Sequence, residues 1–471
     1  MRGLDDFLAY MRSAYPSEVL TISQEIDPSE CDHAALETYF SEQGRFPWLI
    51  FPKARTLNGK PWHGLFANNH LNNYRNFGLA FGLDLGKQRP FDLIRVIHQG
   101  LNNPVQPETI REGVPVKQRI VREPDFGDLP LWRNCEDDSR PGWLSPIVIA
   151  RDPETGRYNY SWHRFSYNGP NNATLRFYPG RQLYDYWMKY RAMNQPMPVA
   201  LVVGHHAAFS IACATKYELD KDETCHVAGI YQQGTKERLR LCPSETWGEE
   251  LMIPADAEIV IEGYVYDRYD FEGPYSDWFW TYAPQYYHPT FEATVINQKE
   301  TPIVEAYWPK THVIHYPALI SNIYDSVRKY FPDIRSINYL PCLVAIVSFK
   351  PNKKGQAKNL GHSLFQLGDY IKLVIVVDDD IDPYNLTEVL YALGTRVDAR
   401  KDVTIVEVEG TNMDPSTIGG IAGGMVIDAT KPVGEPFPKI GVPPKEKIEQ
   451  WEKLLRSSDL SHVSVFSKWG W

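Results

Sequence analysis

Basic residues, long apolar runs and paired cysteines are all scarce in this sequence, and each shortage excludes a class of protein. The 49 Lys and Arg residues are outnumbered by 59 Asp and Glu residues, so the formal net charge is −10. Because binding to nucleic acid or to anionic lipid draws on a surplus of positive charge, neither partner is expected. No stretch of about 18 apolar residues is present, and the best candidate, 199–214, is interrupted by His205 and His206. We therefore expect no membrane span, and the opening MRGLDDFLAY lacks the apolar core of a signal peptide.

The cysteines are few, and they are not arranged as metal ligands or as a disulfide framework. They are scattered without a C-x-x-C pair, at positions 31, 135, 213, 225, 242 and 342. In a chain of this length such spacing favours free, reduced thiols over disulfides or a structural zinc site. Reduced thiols and the missing leader predict a cytoplasmic protein.

The common catalytic signatures are also missing. The sequence has no P-loop, no H-E-x-x-H, no G-x-S-x-G, no kinase signature and no G-x-G-x-x-G after a predicted strand. GGIAGG at 419–424 has the glycines of a nucleotide-binding turn without their spacing. Asp378, Asp379 and Asp380 follow a predicted strand and could hold a metal ion, but a loop that caps the next helix explains them better.

The 471 residues are enough for about three ordinary domains, and the pattern changes twice along the chain. Residues 1–115 have the mixed pattern of an N-terminal α/β domain. Residues 116–330 contain short β-type runs separated by Gly, Pro, Asn and Asp, which favours a mainly antiparallel sheet or barrel. Residues 331–471 form a C-terminal α/β domain with a terminal helix. There, strands at 342–349, 372–377 and 403–408 alternate with helices at 357–367 and 386–393, a pattern that predicts a parallel sheet.

Three polar segments of the middle region stand out against its many aromatic residues. Asn159 and Arg164 lie five positions apart in NYSWHR, Glu272 and Asp277 lie five apart in EGPYSD, and Glu223 lies shortly before Ala228-Gly229. Each segment alone has an ordinary structural explanation, since Glu-Gly-Pro often begins a loop. Aromatic residues make up 13% of the chain; they could be core packing, or they could line a pocket for a flat ligand.

Together these segments resemble the UbiD family of reversible decarboxylases, which use prenylated FMN. The stretch PADAEIVIEG at 254–263, followed by EGPYSD, is similar to the family pattern PA-x-AEIV-x-EG and EGP(F/Y)G(D/E). Further similar motifs follow in family order: VVDDDIDPYNL at 376–386, TRVDAR at 395–400, Asp414-Pro415 and DATKP at 428–432. The resemblance therefore spans roughly residues 145–432.

The resemblance implies the catalytic residues and the mechanism. Arg164, Glu272 and Asp277 would form the acid–arginine–acid network beside the reactive flavin. The substrate and the cofactor would form a covalent adduct, carbon dioxide would leave, and Asp277 would return a proton. An Arg between two acids keeps one of them ionised, whereas the other, if desolvated among Trp278, Phe279 and Trp280, could hold a proton near neutral pH.

The resemblance also implies how the cofactor is held. Asn159, Gln182 and Glu223 would be ligands of a divalent ion, Mn²⁺ or Mg²⁺, that bridges the protein to the cofactor phosphate, and carboxylate and amide oxygens suit such ions. A K⁺ ion would lie nearby. Cofactor-binding residues would also include Arg164, Cys213, Ala214, Thr215 and Lys431, of which Lys431 would reach the phosphate.

Three departures from the family pattern affect these assignments. Gln182 stands where relatives commonly have a His ligand, although its carbonyl oxygen could replace the ring nitrogen. The acid at 277 is Asp rather than Glu, which gives it a shorter reach. The spacing around Glu223 is one residue longer than in many members, and His226 is an alternative ligand nearby.

The implied protein is a decarboxylase, or a carboxylase when carbon dioxide is abundant, of an aromatic, heteroaromatic or α,β-unsaturated carboxylic acid. Its expected fold is α/β (α+β), with a central flavin-binding split β-barrel at 116–330 and a C-terminal domain that dimerises, in a homodimer or a higher homo-oligomer. A flavin prenyltransferase would supply the cofactor. Two alternatives stay open: a non-catalytic scaffold subunit of a carboxylase complex, and a conventional FMN redox enzyme, which would leave Arg164 and the two acids unexplained.

Overall fold

A computed structural model describes residues 1–68, 70–84, 89–139, 141–218, 221–277, 279–308, 315–340, 343–366, 370–411, 414–439 and 441–455. Trp278 and Cys342, which appear in the sequence predictions, lie outside the described residues. Within these ranges no helix is long and apolar enough to cross a bilayer. The chain divides into two compact units, one formed by Met1–Asp325 with Asn412–Pro415 and the other by Ser326–Thr411 with the residues from Ser416 onward. The division into three domains, at 115/116 and 330/331, stays a prediction.

The N-terminal part of the first unit is a mixture of helices and short strands, as predicted. Its elements are α1 (Leu4–Ala14), β1 (Val19–Thr21), α2 (Asp32–Glu42), β2 (Trp48–Phe51), β3 (Leu65–Asn68), α3 (Tyr74–Ala80) and α4 (Pro90–Leu101). The strands form a small sheet in the order β1-β2-β3, which is extended later by β18 (Ile303–Ala306). One face of α1 is apolar in the sequence, where Leu4, Phe7, Leu8 and Met11 recur every three or four residues. All four are buried, and Phe7 packs against the Trp48 ring at 5.9 Å.

The rest of the first unit is built mainly from strands. They are β4 (Glu108–Thr109), β5 (Arg119–Val121), β6 (Trp143–Leu144), β7 (Ile147–Arg151), β8 (Tyr158–Trp162), β9 (Phe165–Gly169), β10 (Asn172–Leu175), β11 (Met197–Val203), β12 (Arg240–Ser244), β13 (Gly248–Pro254), β14 (Ile259–Glu272), β15 (Tyr275–Ser276), β16 (Tyr282–Ala283) and β17 (Tyr286–Gln298). The helices here are α5 (Gln182–Ala192), α6 (Ala207–Ala212), α7 (Glu223–Thr235) and α8 (His315–Val327), with 3₁₀ turns at Pro16–Glu18, Pro28–Glu30, Pro115–Lys117 and Phe126–Asp128.

The largest sheet has the strand order β6-β9-β10-β17-β14-β11-β7-β8, with β5 paired to β17. All of its pairings are antiparallel, which confirms the prediction for this region. Both faces of its centre are buried: in β11, Ala200 and Val202 belong to one apolar core, whereas Val199 and Leu201 belong to another. Successive side chains of a strand point to opposite faces, so this sheet separates two apolar cores.

The second unit contains β19 (Ile334–Leu340), β20 (Val344–Phe349), α9 (Gln356–Phe365), β21 (Leu373–Val377), α10 (Leu386–Arg396), α11 (Ala399–Asp402), β22 (Val403–Glu409), β23 (Ile421–Ala429) and α12 (Lys445–Leu455). Its sheet has the order β19-β20-β21-β23-β22, in which β20, β21 and β23 are parallel. The predicted strands and helices are present with small shifts of their ends.

Two details of the second unit differ from the sequence predictions. The third predicted strand, β22, is an antiparallel edge strand, and the parallel neighbour of β21 is β23. The sequence pattern does not predict β23, because the glycines at 419–424 lie at its start and Gly is unfavourable in strands. Gly424 nevertheless suits its place, since a Cβ there would lie 2.7 Å from the Val408 side chain. In α10 the spacing of Leu386, Val389, Leu390 and Leu393 predicts one buried apolar face, but Val389 is buried whereas Leu390 is 66% exposed.

Candidate active site

Strand β8 and the two residues after it connect two groups of polar side chains. Asn159 and Ser161 are two residues apart on β8, so they point to the same face. Arg164 follows just before β9 begins. A strand rises about 3.3 Å per residue, so Asn159 and Arg164 are separated by about 16 Å at most. One elongated ligand could therefore contact both polar groups.

Arg164 lies between two carboxylates that are far away in the sequence. Its Nε donates to Glu272 Oε1 at 2.5 Å, and its Nη1 donates to Asp277 Oδ2 at 2.8 Å. The Glu272 side chain is 1% exposed, and those of Arg164 and Asp277 are 12% and 10% exposed. Paired contacts from one guanidinium hold both carboxylates in a set orientation, because the fork of its N–H donors is planar and rigid.

The elements around the turn place these two acids. Glu272 is the last residue of β14, opposite Tyr286 of β17, and Asp277 follows the short strand β15. The buried Asp138 accepts hydrogen bonds from the backbone and the hydroxyl of Ser276, which anchors the residue before Asp277. Beneath the pair, the Tyr275 ring lies 4.8 Å from the guanidinium carbon of Arg164.

The predicted apolar surroundings of Asp277 are only partly correct. Asp277 is 8% exposed and Phe279 is 6% exposed, so both are buried. Trp280 is 52% exposed and does not desolvate the acid as predicted, because it lies in the turn before β16.

Two residues that the sequence reasoning missed complete this charged group. His288 Nε2 lies 2.9 Å from Glu272 Oε2, and Arg176 Nη1 lies 3.7 Å from Asp277 Oδ2. Burial acts to raise the pKa of Glu272, but Arg164 and His288 outweigh it and lower that pKa to about 2. Glu272 is therefore a carboxylate at neutral pH. The positive charge of Arg164 is stabilised in turn, since the pKa of its guanidinium is raised by the two acids despite burial.

The second polar group brings together the three predicted metal ligands. Asn159 Nδ2 lies 3.2 Å from Gln182 Oε1 and 3.0 Å from Glu223 Oε1. Glu223 is 4% exposed, and the backbone N–H of Tyr160 donates to its Oε2 at 2.7 Å. Burial raises the pKa of Glu223 to about 8, which hydrogen bonds from Tyr160 and Asn159 only partly oppose.

Local structure explains why these side chains converge. Gln182 and Glu223 are the first residues of α5 and α7, so each lies at the positive end of a helix dipole. Asp222 begins α7 by accepting a hydrogen bond from Thr224 N, and its other oxygen accepts one from Tyr158 N, which ties the helix to β8. His226, the alternative ligand, instead lies 2.9 Å from the carbonyl of Leu101 through its Nδ1.

The chemistry of this oxygen group fits a hard divalent cation. Amide and carboxylate oxygens are the ligands that Mn²⁺ and Mg²⁺ take in proteins. A buried carboxylate with few donors is costly in its ionised form, and a cation would remove that cost. The described residues contain no group of three His, Cys, Asp or Glu residues at metal-binding distances. The group of Asn159, Gln182 and Glu223 differs from such a site because two of its three side chains are amides.

The remaining sequence candidates are distributed over both units. Cys213, Ala214 and Thr215 follow α6, where Cys213 is 3% and Thr215 is 5% exposed. In the second unit, Lys431 Nζ donates to Asp380 Oδ2 at 2.6 Å. The Asp378–Asp380 segment is thus part of an ion-pair cluster with Lys431 and the buried Arg396, and the helix that follows is capped by Asn385. The role of Lys431 toward a phosphate stays a prediction.

Only weak sequence patterns point to His288 and Arg176 as members of the site. His288 lies in the aromatic segment QYYHP, and its ladder partner on β14 is Asp270, two residues before Glu272. That proximity follows only from the register of β14 and β17. Arg176 follows β10, and its backbone N–H donates to the Arg164 carbonyl at 3.2 Å, a contact that no local pattern predicts.

Two protein-family descriptions match this chain. Residues 108–312 match the 3-octaprenyl-4-hydroxybenzoate carboxy-lyase (UbiD) Rift-related domain, and residues 313–429 match the C-terminal domain of the same carboxy-lyase. Among characterised proteins, the phenolic acid decarboxylase of Sedimentibacter hydroxybenzoicus is 27% identical over 97% of both chains.

Two solved structures with the same fold hold a flavin. The UbiD-class enzyme HmfF from Pelotomaculum thermopropionicum, solved in complex with FMN, is 26% identical with a TM-score of 0.85 over 96% of this chain and 99% of its own. An evolved dimeric form of that enzyme, solved in complex with prenylated FMN (prFMN), is 25% identical with a TM-score of 0.82 over 96% of this chain and 100% of its own.

Proposed function

Because the chain belongs to the UbiD family of carboxy-lyases, we propose that it catalyses reversible, non-oxidative decarboxylation of an aromatic, heteroaromatic or α,β-unsaturated carboxylic acid with prenylated FMN. The similar proteins support this substrate class, since one of them is a phenolic acid decarboxylase. The observation that carries the proposal is the largely buried side chain of Arg164 held between Glu272 and Asp277, at the positions where the family motifs occur.

The flavin would supply what no side chain can, an electron sink for the carbanion left when carbon dioxide departs. Asn159, Gln182 and Glu223 would hold a Mn²⁺ or Mg²⁺ ion against the cofactor phosphate, with K⁺ nearby. Cys213, Ala214, Thr215 and Arg164 would contact the cofactor. The oxygen donors of the first three residues support this part of the proposal.

Arg164 would orient the carboxylate of the substrate beside the flavin. Its charge is permanent, and its donors are arranged to grip a carboxylate in two places. Glu272 would keep Arg164 in position. Because Arg164 donates to its Oε1 and its pKa is lowered to about 2, Glu272 is poorly suited to give up a proton.

Asp277 would be the acid that protonates the carbon after carbon dioxide leaves. Arg164 and Arg176 both contact the same oxygen of this carboxylate, Oδ2, with the nearer contact at 2.8 Å. A proton donor must lie within hydrogen-bonding reach of the reacting atom, and Arg164 places Asp277 next to the group that holds the substrate. In the direction of carboxylation the same carboxylate would remove that proton.

Purification after co-expression with a flavin prenyltransferase tests this function against the scaffold-subunit alternative, which the replacement of a His ligand by Gln182 favours. A bound flavin with the mass of prenylated FMN, and release of carbon dioxide from a panel of aryl and heteroaryl acids, are expected. Reproducible absence of both, with Mn²⁺ and K⁺ supplied, would favour the scaffold. Light scattering of the same sample tests the proposed homodimer.

A further inference from the structure

A row of short polar contacts leads from the oxygen group to the backbone beside the acid pair. Asn159 Oδ1 lies 2.7 Å from Ser161 Oγ, and Ser161 Oγ lies 2.9 Å from His163 Nε2. The row ends where His163 Nδ1 lies 2.6 Å from the carbonyl oxygen of Arg176. Neither Ser161 nor His163 has a place in the chemistry proposed above.

The protons along this row can be assigned from its fixed end. A carbonyl oxygen only accepts, so His163 Nδ1 must carry a proton and donate it to Arg176. Burial lowers the pKa of His163 to about 4, so the ring is neutral and its Nε2 has only a lone pair. Ser161 can then bond to Nε2 only by donating its single hydroxyl proton there, in place of the hydrogen bond that it donates to Asn159 Oδ1 in the structure. The Ser161 oxygen is left as an acceptor, and the atom of Asn159 that faces it has to be the amide NH₂.

This assignment turns the Asn159 amide away from the orientation in which Nδ2 donates to Gln182 and Glu223. In the reversed orientation Nδ2 donates to Ser161, and Asn159 Oδ1 faces Gln182 Oε1 and Glu223 Oε1. Three oxygens that face one another repel, unless a cation lies among them. Without a cation, Asn159 Nδ2 donates to Glu223 and Gln182. The contact between Ser161 and His163 is then left without a proton to share.

We propose that Ser161 and His163 are positioning residues, which use a hydrogen-bond relay anchored on the Arg176 carbonyl to turn the Asn159 carbonyl oxygen toward a divalent cation. This inference rests on the proposed metal site and adds to it the reason why Asn159 binds as an oxygen ligand rather than as a donor. Partners that orient a metal ligand usually matter for affinity, and their loss weakens metal binding by about 10–100-fold.

Mn²⁺ binding tests the relay without any measurement of turnover. Free Mn²⁺ has a sharp electron paramagnetic resonance spectrum that broadens on binding, so titration at saturating FMN yields a dissociation constant. Ser161→Ala and His163→Phe should each weaken Mn²⁺ binding at least about tenfold. His163→Gln should stay close to the unmodified protein, because Gln can present an acceptor where Nε2 lies.

The controls separate the relay from a general loss of structure. Ser41→Ala removes a hydroxyl that donates to the Thr38 carbonyl on α2, and it should leave Mn²⁺ binding unchanged. The double variant Ser161→Ala with His163→Phe should bind no more weakly than either single variant, since both break the same relay.

The outcomes distinguish the two proposals. If the unmodified protein binds Mn²⁺ and neither Ser161→Ala nor His163→Phe changes the dissociation constant, the relay is wrong and the metal site stands. The relay is also wrong if the two losses add, or if His163→Gln loses as much affinity as His163→Phe. If the unmodified protein with FMN binds no Mn²⁺, the metal part of the proposed function fails together with the relay.

Discussion

Arg164 Nε donates to Glu272 Oε1 at 2.5 Å although 108 positions separate the two residues. Their contact places the end of strand β14 against the segment between β8 and β9, and Asp277 meets the same guanidinium from the following turn. Since one cation faces two buried acids, its removal would leave two carboxylates without their main partner. Such a loss is strongly destabilising in proteins.

We predict that Arg164→Lys, which keeps the charge but loses the fork of donors, lowers kcat/KM by about 10²–10³-fold. Arg164→Ala should abolish turnover and also lower the melting temperature, because both acids lose their partner. Carbon dioxide release and thermal unfolding measure the two effects, with Arg268→Lys as a matched control at an exposed ion pair. Substantial activity in Arg164→Ala would overturn the assignment.

The second prediction concerns the proton. Asp277→Asn should stop the incorporation of deuterium into the product in deuterated water, because an amide cannot exchange a proton with carbon. Mass spectrometry of the product after incubation with the holoenzyme measures the incorporated deuterium. Asp270→Asn changes an exposed acid on β14 and should leave exchange intact. Continued exchange in Asp277→Asn would assign the proton to another group.

The third prediction concerns Gln182. Gln182→Ala should lower the Mn²⁺ content of the purified holoenzyme by about tenfold or more, since loss of a direct ligand should cost no less than loss of an outer partner. Gln182→His restores the usual family ligand and should retain the metal. Elemental analysis measures both, and an unchanged content in Gln182→Ala would remove this residue from the site.

The fourth prediction is a dependence of stability on pH. The pKa of Glu272 is lowered from 4.5 to about 2, so its contribution is complete above pH 4.5 and is lost as the pH falls toward 2. From this shift we expect the ionised carboxylate to contribute on the order of 3 kcal/mol to the free energy of unfolding at pH 6. Urea unfolding of the unmodified protein and of Glu272→Gln should show a difference that shrinks by more than half by pH 3.

An exposed acid provides the comparison for that series. Glu112→Gln should track the unmodified protein across the same pH range, because Glu112 is exposed. A difference for Glu272→Gln that stays constant between pH 6 and pH 3 would mean that its ionisation does not contribute to stability.

Local sequence patterns are sufficient to predict most of the secondary structure. The face of α1 repeats every three or four residues, and the strand runs of the middle region are separated by turn residues, so both could be predicted without tertiary contacts. The order of strands in the second unit could not be predicted in this way. Strand β23 is rich in glycine, and its place between β21 and β22 depends on close packing against Val408 rather than on its own propensity.

For the candidate site, too, some features can be predicted from local sequence and others depend on tertiary contacts. Asn159, Arg164, Glu272 and Asp277 could be selected from sequence because each lies in a short motif of polar residues next to a strand or a turn. Their convergence, and the addition of Arg176 and His288, required the registers of β14, β17 and β10 and the packing of two helix N-termini against β8. Residue type and spacing specify which chemistry a side chain can perform, whereas distances between remote segments, and the pKa values that depend on them, arise only when the chain folds.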